Sequence, residues 1–388
     1  MRIGIDARLW NETGVGRYIR NLVWQLQELD KINTYVLFVD KSIKKQELRI
    51  KENWNIVETD IRWHTLEEQR KFPKVLEKEN LDLVHFPYFS VPIRYNRPFV
   101  ITIHDLIIHH YPTGKASTLP SPAYYAKLLG YKFVIKKAAQ KAQKVITVSQ
   151  ATKDEIVKHL HVSKEKVEVT YEGVEEKIYS SSERRRIEKS FSTNEDNRSR
   201  LRSNNNPYFL YVGNAYPHKN LDRLVEAFSL IVKDYPEVKL ILIGKEDYFY
   251  KRLKENVKTL GIEKNIIFTG FVSEEDLQNY YHHALATIVP SLMEGFGLPG
   301  LEAMQAGCLV LASDIPSLKE IYQDAAIYFD PLAVKSLHAT IQKVLDENKS
   351  FQSYIAEGRK RVAFFSWKKM AEETLKIYES SSRVRSDQ

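Results

Sequence analysis

The stretch Leu285-Ala-Thr-Ile-Val-Pro290-Ser-Leu-Met-Glu294-Gly-Phe-Gly-Leu-Pro299-Gly-Leu-Glu302 holds a strand, a glycine-rich turn and the start of a helix. The apolar run Leu285–Val289 predicts a strand that stops at Pro290. Pro299 suits the first position of a helix, where its missing N–H costs nothing. A strand, a Gly-x-Gly turn and a helix make an anion site, because the first helical N–H groups have no partner within the helix. No Ser, Thr, Asp or Asn stands just before Pro299 to cap those donors, which leaves them to a ligand phosphate. Glu294 and Glu302 bracket the turn. Carboxylates on either side of an anion-binding turn suit a ligand with hydroxyls beside phosphates; a tight turn with two solvated glutamates is the plainer reading.

The same alternation of short β-branched runs with amphipathic helical patterns continues along the chain, which implies parallel sheets covered by helices. Strand candidates in the first half are Arg2–Asp6, Tyr35–Asp40, Asn55–Thr59, Leu83–Phe86, Phe99–His104, Lys144–Val148 and Val167–Thr170. In the second half they are Tyr208–Val212, Lys239–Ile243, Asn265–Thr269, Leu285–Val289, Cys308–Ala312 and Ala325–Phe329. Leu221, Leu224, Val225, Phe228 and Ile231 repeat at helical spacing after Asn220, a suitable N-cap. Between Ser180 and Asn206 the composition turns to Ser, Arg, Glu and Asn, as in a linker. The expected organisation is a first domain over 1–173, a polar linker over 174–206 and a second domain over 207–366, both doubly wound.

The chain has 388 residues, enough for two such cores, with 43% hydrophobic and 28% charged residues. One cysteine, Cys308, excludes an internal disulfide framework and fits a reducing interior; its apolar surroundings predict a buried strand thiol. No apolar run is long enough to cross a bilayer and the first residues read as a strand, so a cytoplasmic location is expected. A net charge of +8 favours anionic partners without choosing among them; no nucleic-acid-binding motif is present. The stretch 122–144 mixes six lysines with Tyr124, Tyr125, Leu128, Leu129, Phe133, Val134 and Ile135. It reads as a domain helix with one buried side, or as a peripheral contact with the inner face of an anionic membrane.

In open parallel sheets ligands bind beyond the carboxyl ends of the strands, so the loops there are the informative ones. Gly14 and Gly16 let the backbone after the first strand approach a ligand, with Arg17 beside them, although a plain turn fits equally. His104 ends a strand and is placed to meet a hydroxyl or share a proton, or else to be satisfied by nearby backbone; His85 reads as structural. Gly213-Asn-Ala-Tyr-Pro-His-Lys219-Asn220 sets an ammonium just before a helix N-terminus. That is unfavourable for the helix alone and is relieved by an anionic ligand. No Asp-x-Asp and no His/Cys cluster with metal-ligand spacing occurs, so no metal and no cofactor are expected.

Thr13-Gly-Val-Gly-Arg-Tyr18, Val100-Ile-Thr-Ile-His-Asp105, Val145-Ile-Thr-Val-Ser149, Val212-Gly-Asn-x-x-Pro-x-Lys-Asn220 and Glu294-Gly-Phe-Gly-Leu-Pro-Gly-Leu-Glu302 follow in order. In this the chain resembles the retaining nucleotide-sugar glycosyltransferases of family four, mannosyltransferases among them. The resemblance implies the GT-B architecture, two Rossmann-like domains facing a central cleft, with a terminal helix near 367–381 packing back on the first. It implies that Glu302 holds the donor ribose and Glu294 the transferred hexose. The backbone of Gly295, Phe296, Gly297 and Leu298 would hold the diphosphate with Lys219, and Gly213 and Asn214 share that loop. Gly16 would approach the phosphate, His104 the sugar near its 6-hydroxyl, and the backbone of Phe271 and Val272 the base. Where many members have an arginine beside the lysine, this chain has Asn214 and His218, so the second cation is either Arg17 or absent.

The expected function is metal-independent transfer of a hexose, with mannose from GDP-mannose as the first choice, to a hydroxyl of a glycan or lipid-linked acceptor. Catalysis is assigned to Glu294, His104 and Lys219. Alternatives are a UDP-sugar-dependent transferase, a sugar-nucleotide epimerase or phosphorylase, and a non-catalytic GT-B subunit.

Overall fold

The structure, a computed structural model, describes residues 1–113, 121–174, 207–346 and 351–382. The polar stretch 180–206 therefore lies outside the described residues. Two compact units are present. One runs from Met1 to Gly173 and is taken up again at Phe365; the other lies between Val174 and Phe364.

The first unit is built on a seven-stranded sheet of β1 (Arg2–Asp6), β2 (Thr34–Asp40), β3 (Trp54–Thr59), β4 (Leu83–Phe86), β5 (Phe99–Ile103), β6 (Val145–Thr147) and β7 (Val167–Val169). All pairings are parallel, in the order β3-β2-β1-β4-β5-β6-β7. The second is built on β8 (Tyr208–Val212), β9 (Lys239–Ile243), β10 (Ile266–Gly270), β11 (Ala286–Val289), β12 (Val310–Ser313) and β13 (Ala326–Phe329). These too are parallel, in the order β10-β9-β8-β11-β12-β13. The central strands are buried on both faces: Ile3 and Ile5 of β1 and Val100, Ile101 and Ile103 of β5 are fully covered. That is why they read as unbroken apolar runs rather than alternating ones.

Each sheet reverses its winding once, between β1 and β4 in the first unit and between β8 and β11 in the second. Loops that follow these strands diverge and leave room for a ligand.

Several boundaries shift by a residue or two from the sequence reading. β5 stops at Ile103, so His104 lies past the strand, and β12 begins at Val310, so Cys308 is buried in the turn before it. The stripe Leu221, Leu224, Val225, Phe228 and Ile231 is buried in the helix Leu221–Asp234 as the spacing predicts. Asn220, in contrast, does not cap that helix. It takes a left-handed conformation with φ 61°, and its side chain makes no cap hydrogen bond.

The last helix, Trp367–Ser382, joins the first unit's core. Trp367, Met370, Ala371 and Tyr378 pack with Ile3, Ile5, Leu22 and Leu26. The Tyr378 hydroxyl lies 2.6 Å from His85 Nδ1, and His85 Nε2 lies 2.8 Å from Thr102 Oγ1. Burial, then the neighbouring His104, push His85 down to about 3, so it is neutral and structural as expected.

Candidate active site

In the second unit the loops after β8 and β11 meet at the sheet's switch point. Lys219 closes the short turn Pro217–Lys219, and its Nζ donates to Glu294 Oε1 at 2.6 Å. Ser291 Oγ donates to the same oxygen, also at 2.6 Å. The two loops are joined along the backbone by Leu292 N–H to His218 O at 2.7 Å. Asn220 adds a staple: its Nδ2 donates to Pro290 O at 3.0 Å and Pro331 O at 2.8 Å. So its side chain ties the β8 loop to the loops after β11 and β13, which is the work that takes the place of capping.

Lys219 and Glu294 side chains are only 17% and 11% exposed. Burial alone would raise the Glu294 carboxyl, but Lys219, then His218 and two hydrogen bonds, bring it below its ordinary value. Burial and the adjacent Lys219 push His218 down to about 4, so it stands neutral beside the ammonium. The sequence reading relieves Lys219's charge with a ligand. In the structure Glu294, from a loop 75 residues away, already does so.

The helix after this turn, Leu298–Gln305, is preceded by Gly297 at φ 93°, a conformation that L side chains rarely adopt. Pro299 is its second residue, not its first. Gly300 N–H turns back to Gly297 O at 3.2 Å, so fewer backbone donors face outward here than the sequence reading counts. Gly297 O also accepts from the Tyr322 hydroxyl, which is fully buried beneath the turn. Burial, then Glu294 and also Glu302, push the Tyr322 phenol well above its ordinary value. Both carboxylates thus act on one phenol under the glycine turn. Glu302, on the helix, is 9% exposed and accepts from Tyr281 Oη at 3.0 Å.

The remaining expected donor residues are more loosely placed. Gly295 and Phe296 are buried within the turn, and Leu298 opens the helix. Gly213 N–H donates to Ile243 O at 2.9 Å, its carbonyl accepts from Tyr250 Oη, and Asn214 Oδ1 accepts from Tyr216 N–H at 3.2 Å. Phe271 is 72% exposed and Val272 half-buried, just past edge strand β10 and two strands from β8.

In the first unit the helix Gly14–Leu29 follows the β1 loop. A Cβ on Gly16 would lie 2.5 Å from Trp10 O and 2.8 Å from Leu9 O. The glycine is therefore required by the chain's own backbone, independently of any ligand. Arg17 lies in the first turn of the same helix. Tyr18, from the second turn, packs edge-on against His104 with ring centroids 4.8 Å apart.

His104 Nε2 lies 3.0 Å from Pro87 O and Nδ1 3.3 Å from Glu172 Oε1. A sugar hydroxyl must share or displace one of these partners. Burial would depress the imidazole, yet the Glu172 hydrogen bond and charge raise it above its ordinary value. The native state therefore holds the proton longer than the unfolded chain, whose histidine titrates near ~6.5. This contribution is complete below that pH and is lost as pH rises through the folded value, so stability falls with pH in that window. His64, His85, His109 and His218 are depressed and act at lower pH. Urea unfolding above pH ~6.5 should show wild type losing stability while His104→Asn stays flat; parallel slopes would refute the ion pair.

The sequence reading misses Arg8. It is 3% exposed, forks onto Asp6 at 2.8 and 2.7 Å, and reaches Glu68 Oε1 at 2.6 Å. Its guanidinium also stacks 3.7 Å from the Phe72 centroid. Asp6-Ala-Arg8 at the end of β1 was the available signal. Glu68, 60 residues on, had none.

The model of glycosyl transferases group 1 matches residues 192–361 and that of glycosyltransferase family 4 matches residues 13–177. The chain belongs to the family-four glycosyltransferases and is an enzyme that transfers a glycosyl group. Among its relatives is the O-antigen chain mannosyltransferase RfbU of Salmonella typhimurium, 29% identical over 71% of this chain and 69% of the relative. Another is O-antigen chain mannosyltransferase B of Escherichia coli, 27% identical over 94% of this chain and 96% of the relative. Sucrose-phosphate synthase from Thermosynechococcus elongatus shares the fold, with a TM-score of 0.75, 21% identity and 98% of each chain covered. HepE of Anabaena, solved with UDP and glucose, superposes with a TM-score of 0.69 at 17% identity over 98% of this chain and 100% of its own. The architecture is GT-B, with two parallel-sheet α/β domains. Among the described residues no helix is long and apolar enough to cross a membrane.

Proposed function

We propose that this enzyme moves mannose from GDP-mannose to a hydroxyl of a glycan or lipid-linked acceptor, with retention at the anomeric carbon and without a metal. The observation that carries the reading is the Lys219–Glu294 pair at the switch point of the second sheet, beside the turn that leads to Glu302. The mannosyltransferase relatives support the sugar, and the UDP held by HepE supports a nucleoside diphosphate as leaving group. Breaking the anomeric bond leaves an oxocarbenium-like sugar and a departing diphosphate. Lys219 supplies a cation to the charge that grows on that diphosphate, held in place by Glu294 until the donor arrives. Glu294 and Glu302, both anchored by hydroxyl donors, keep their carboxylates aimed for sugar and ribose hydroxyls.

The test is a thermal-shift panel of GDP-mannose, UDP-glucose and UDP-N-acetylglucosamine. At 100 times its dissociation constant a donor adds ~2.7 kcal/mol to the stability of the state that binds it. GDP-mannose should give the largest shift. A larger shift from a UDP-sugar overturns the mannose assignment, and no shift from any overturns the donor site.

The helix Ser121–Lys141 supports a membrane contact for a lipid-linked acceptor. Tyr125, Leu129 and Phe133 recur every fourth residue and are 63%, 69% and 53% exposed, with Lys127 and Lys137 exposed beside them. The protein should sediment with anionic vesicles and Leu129→Asp should abolish this. Equal sedimentation of the two forms sinks the reading.

A further inference from the structure

We propose that His110, Glu155 and His159 in the first unit form a binding site for one divalent transition-metal ion, Zn2+ in particular. The sequence reading finds no metal-ligand spacing, because the ligands come from two segments. Glu155 and His159 are four residues apart on the helix Gln150–Leu160 and so share one face. His110 ends the short helix Ile107–His110, which follows β5 and His104.

The one ligand atom offered by each residue lies within 4.8 Å of the other two. His110 Nε2 is 2.6 Å from Glu155 Oε2, and His159 Nε2 is 3.4 Å from that same oxygen. Ligand bonds of about 2.1 Å in a tetrahedral zinc site place donor atoms roughly 3.4 Å apart. The His159–Glu155 spacing already fits. The His110–Glu155 hydrogen bond must open by under ~1 Å as its proton gives way to the ion.

His159 Nε2 is shielded from solvent and makes no hydrogen bond. A buried imidazole nitrogen left without a hydrogen bond is costly, and an ion would take up its lone pair. The two imidazoles lie edge-to-face with centroids 5.1 Å apart, clear of each other. The three side chains remain 29–35% exposed, which leaves an open side for water as the fourth ligand. His109 takes no part: its Nδ1 faces Tyr131 Oη at 3.1 Å. Two imidazoles and one carboxylate suit zinc better than calcium or magnesium, which prefer oxygen. Such an ion would clip the segment just beyond His104 to the helix that follows β6.

The untagged full-length chain, freed of metal with a chelator, should be titrated with Zn2+ by calorimetry and with Co2+ by absorbance. One equivalent of Zn2+ should bind, and Co2+ should give the d–d bands of an ion held by nitrogen and oxygen. His159→Ala and Glu155→Gln should each weaken binding by about tenfold or more. Wild type that binds no Zn2+, or binds it no better than both variants, overturns the site. A wild-type Co2+ complex without those bands does so as well.

Discussion

Replacing Lys219 with alanine should lower turnover by about two to three orders of magnitude, with most of the loss in kcat. That is the usual cost, ~3–4 kcal/mol, of deleting one preorganised donor to a developing oxyanion. The cation's interaction strengthens as charge leaves the sugar, so removing it acts on the transition state more than on the bound donor. The pair complicates a single substitution, because Lys219→Ala leaves Glu294 buried without its cation. Two further variants separate the effects. Lys219→Arg keeps the charge and should retain more activity, and a Lys219→Ala, Glu294→Gln cycle measures their coupling. If Lys219 only neutralised Glu294, the alanine variant would lose stability but keep kcat within about threefold of wild type. That result removes Lys219 from the chemistry.

Arg8→Met should destabilise the first unit by about 3–5 kcal/mol, the cost of breaking a buried ion network by removing one partner. For a unit of this size that lowers its Tm by roughly 6–20 °C. Asp6 and Glu68 are 8% and 0% exposed, so neither can turn to water when the guanidinium is gone. Glu68 also accepts from Ser90 Oγ at 2.7 Å and His64 N–H at 3.0 Å, which hold it in place. Burial already raises its carboxyl above the ordinary value despite Arg8. Without Arg8 the Glu68 carboxyl should titrate higher still. The deficit should then shrink below pH ~4, where that carboxyl is neutral in folded and unfolded chain alike. Asp6→Asn and Glu68→Gln added to Arg8→Met should recover much of the loss. A triple variant no more stable than the single one would place the damage in lost packing against Phe72 instead.

What the sequence revealed and what it hid divide along chain separation. Strand, turn and helix at 285–302 are local, so Gly297 and the flanking carboxylates are legible from residue types and spacing alone. The buried stripe of Leu221–Asp234 follows the helical period for the same reason. Partners across the fold leave no such trace. Nothing near Lys219 announces Glu294, and nothing near Gly297 announces Tyr322. Asn220 has the residue type of a cap and the geometry of a cross-loop staple, because its backbone turns left-handed where a cap would be extended. His104 reads as poised for a ligand until Pro87 and Glu172 are seen on either side of its ring.

Trp367, Met370 and Tyr378 complete a core begun by Ile3 and Ile5, and this constrains how the polypeptide matures on the ribosome. The unit begun by β1 cannot close over its apolar interior until Trp367 to Tyr378 have been made. The intervening segment has all its own strands earlier and is free to consolidate ahead of it. Stop codons just before Phe365 should thus yield a product whose first unit, through Gly173, is sticky and chaperone-dependent while its second is sound.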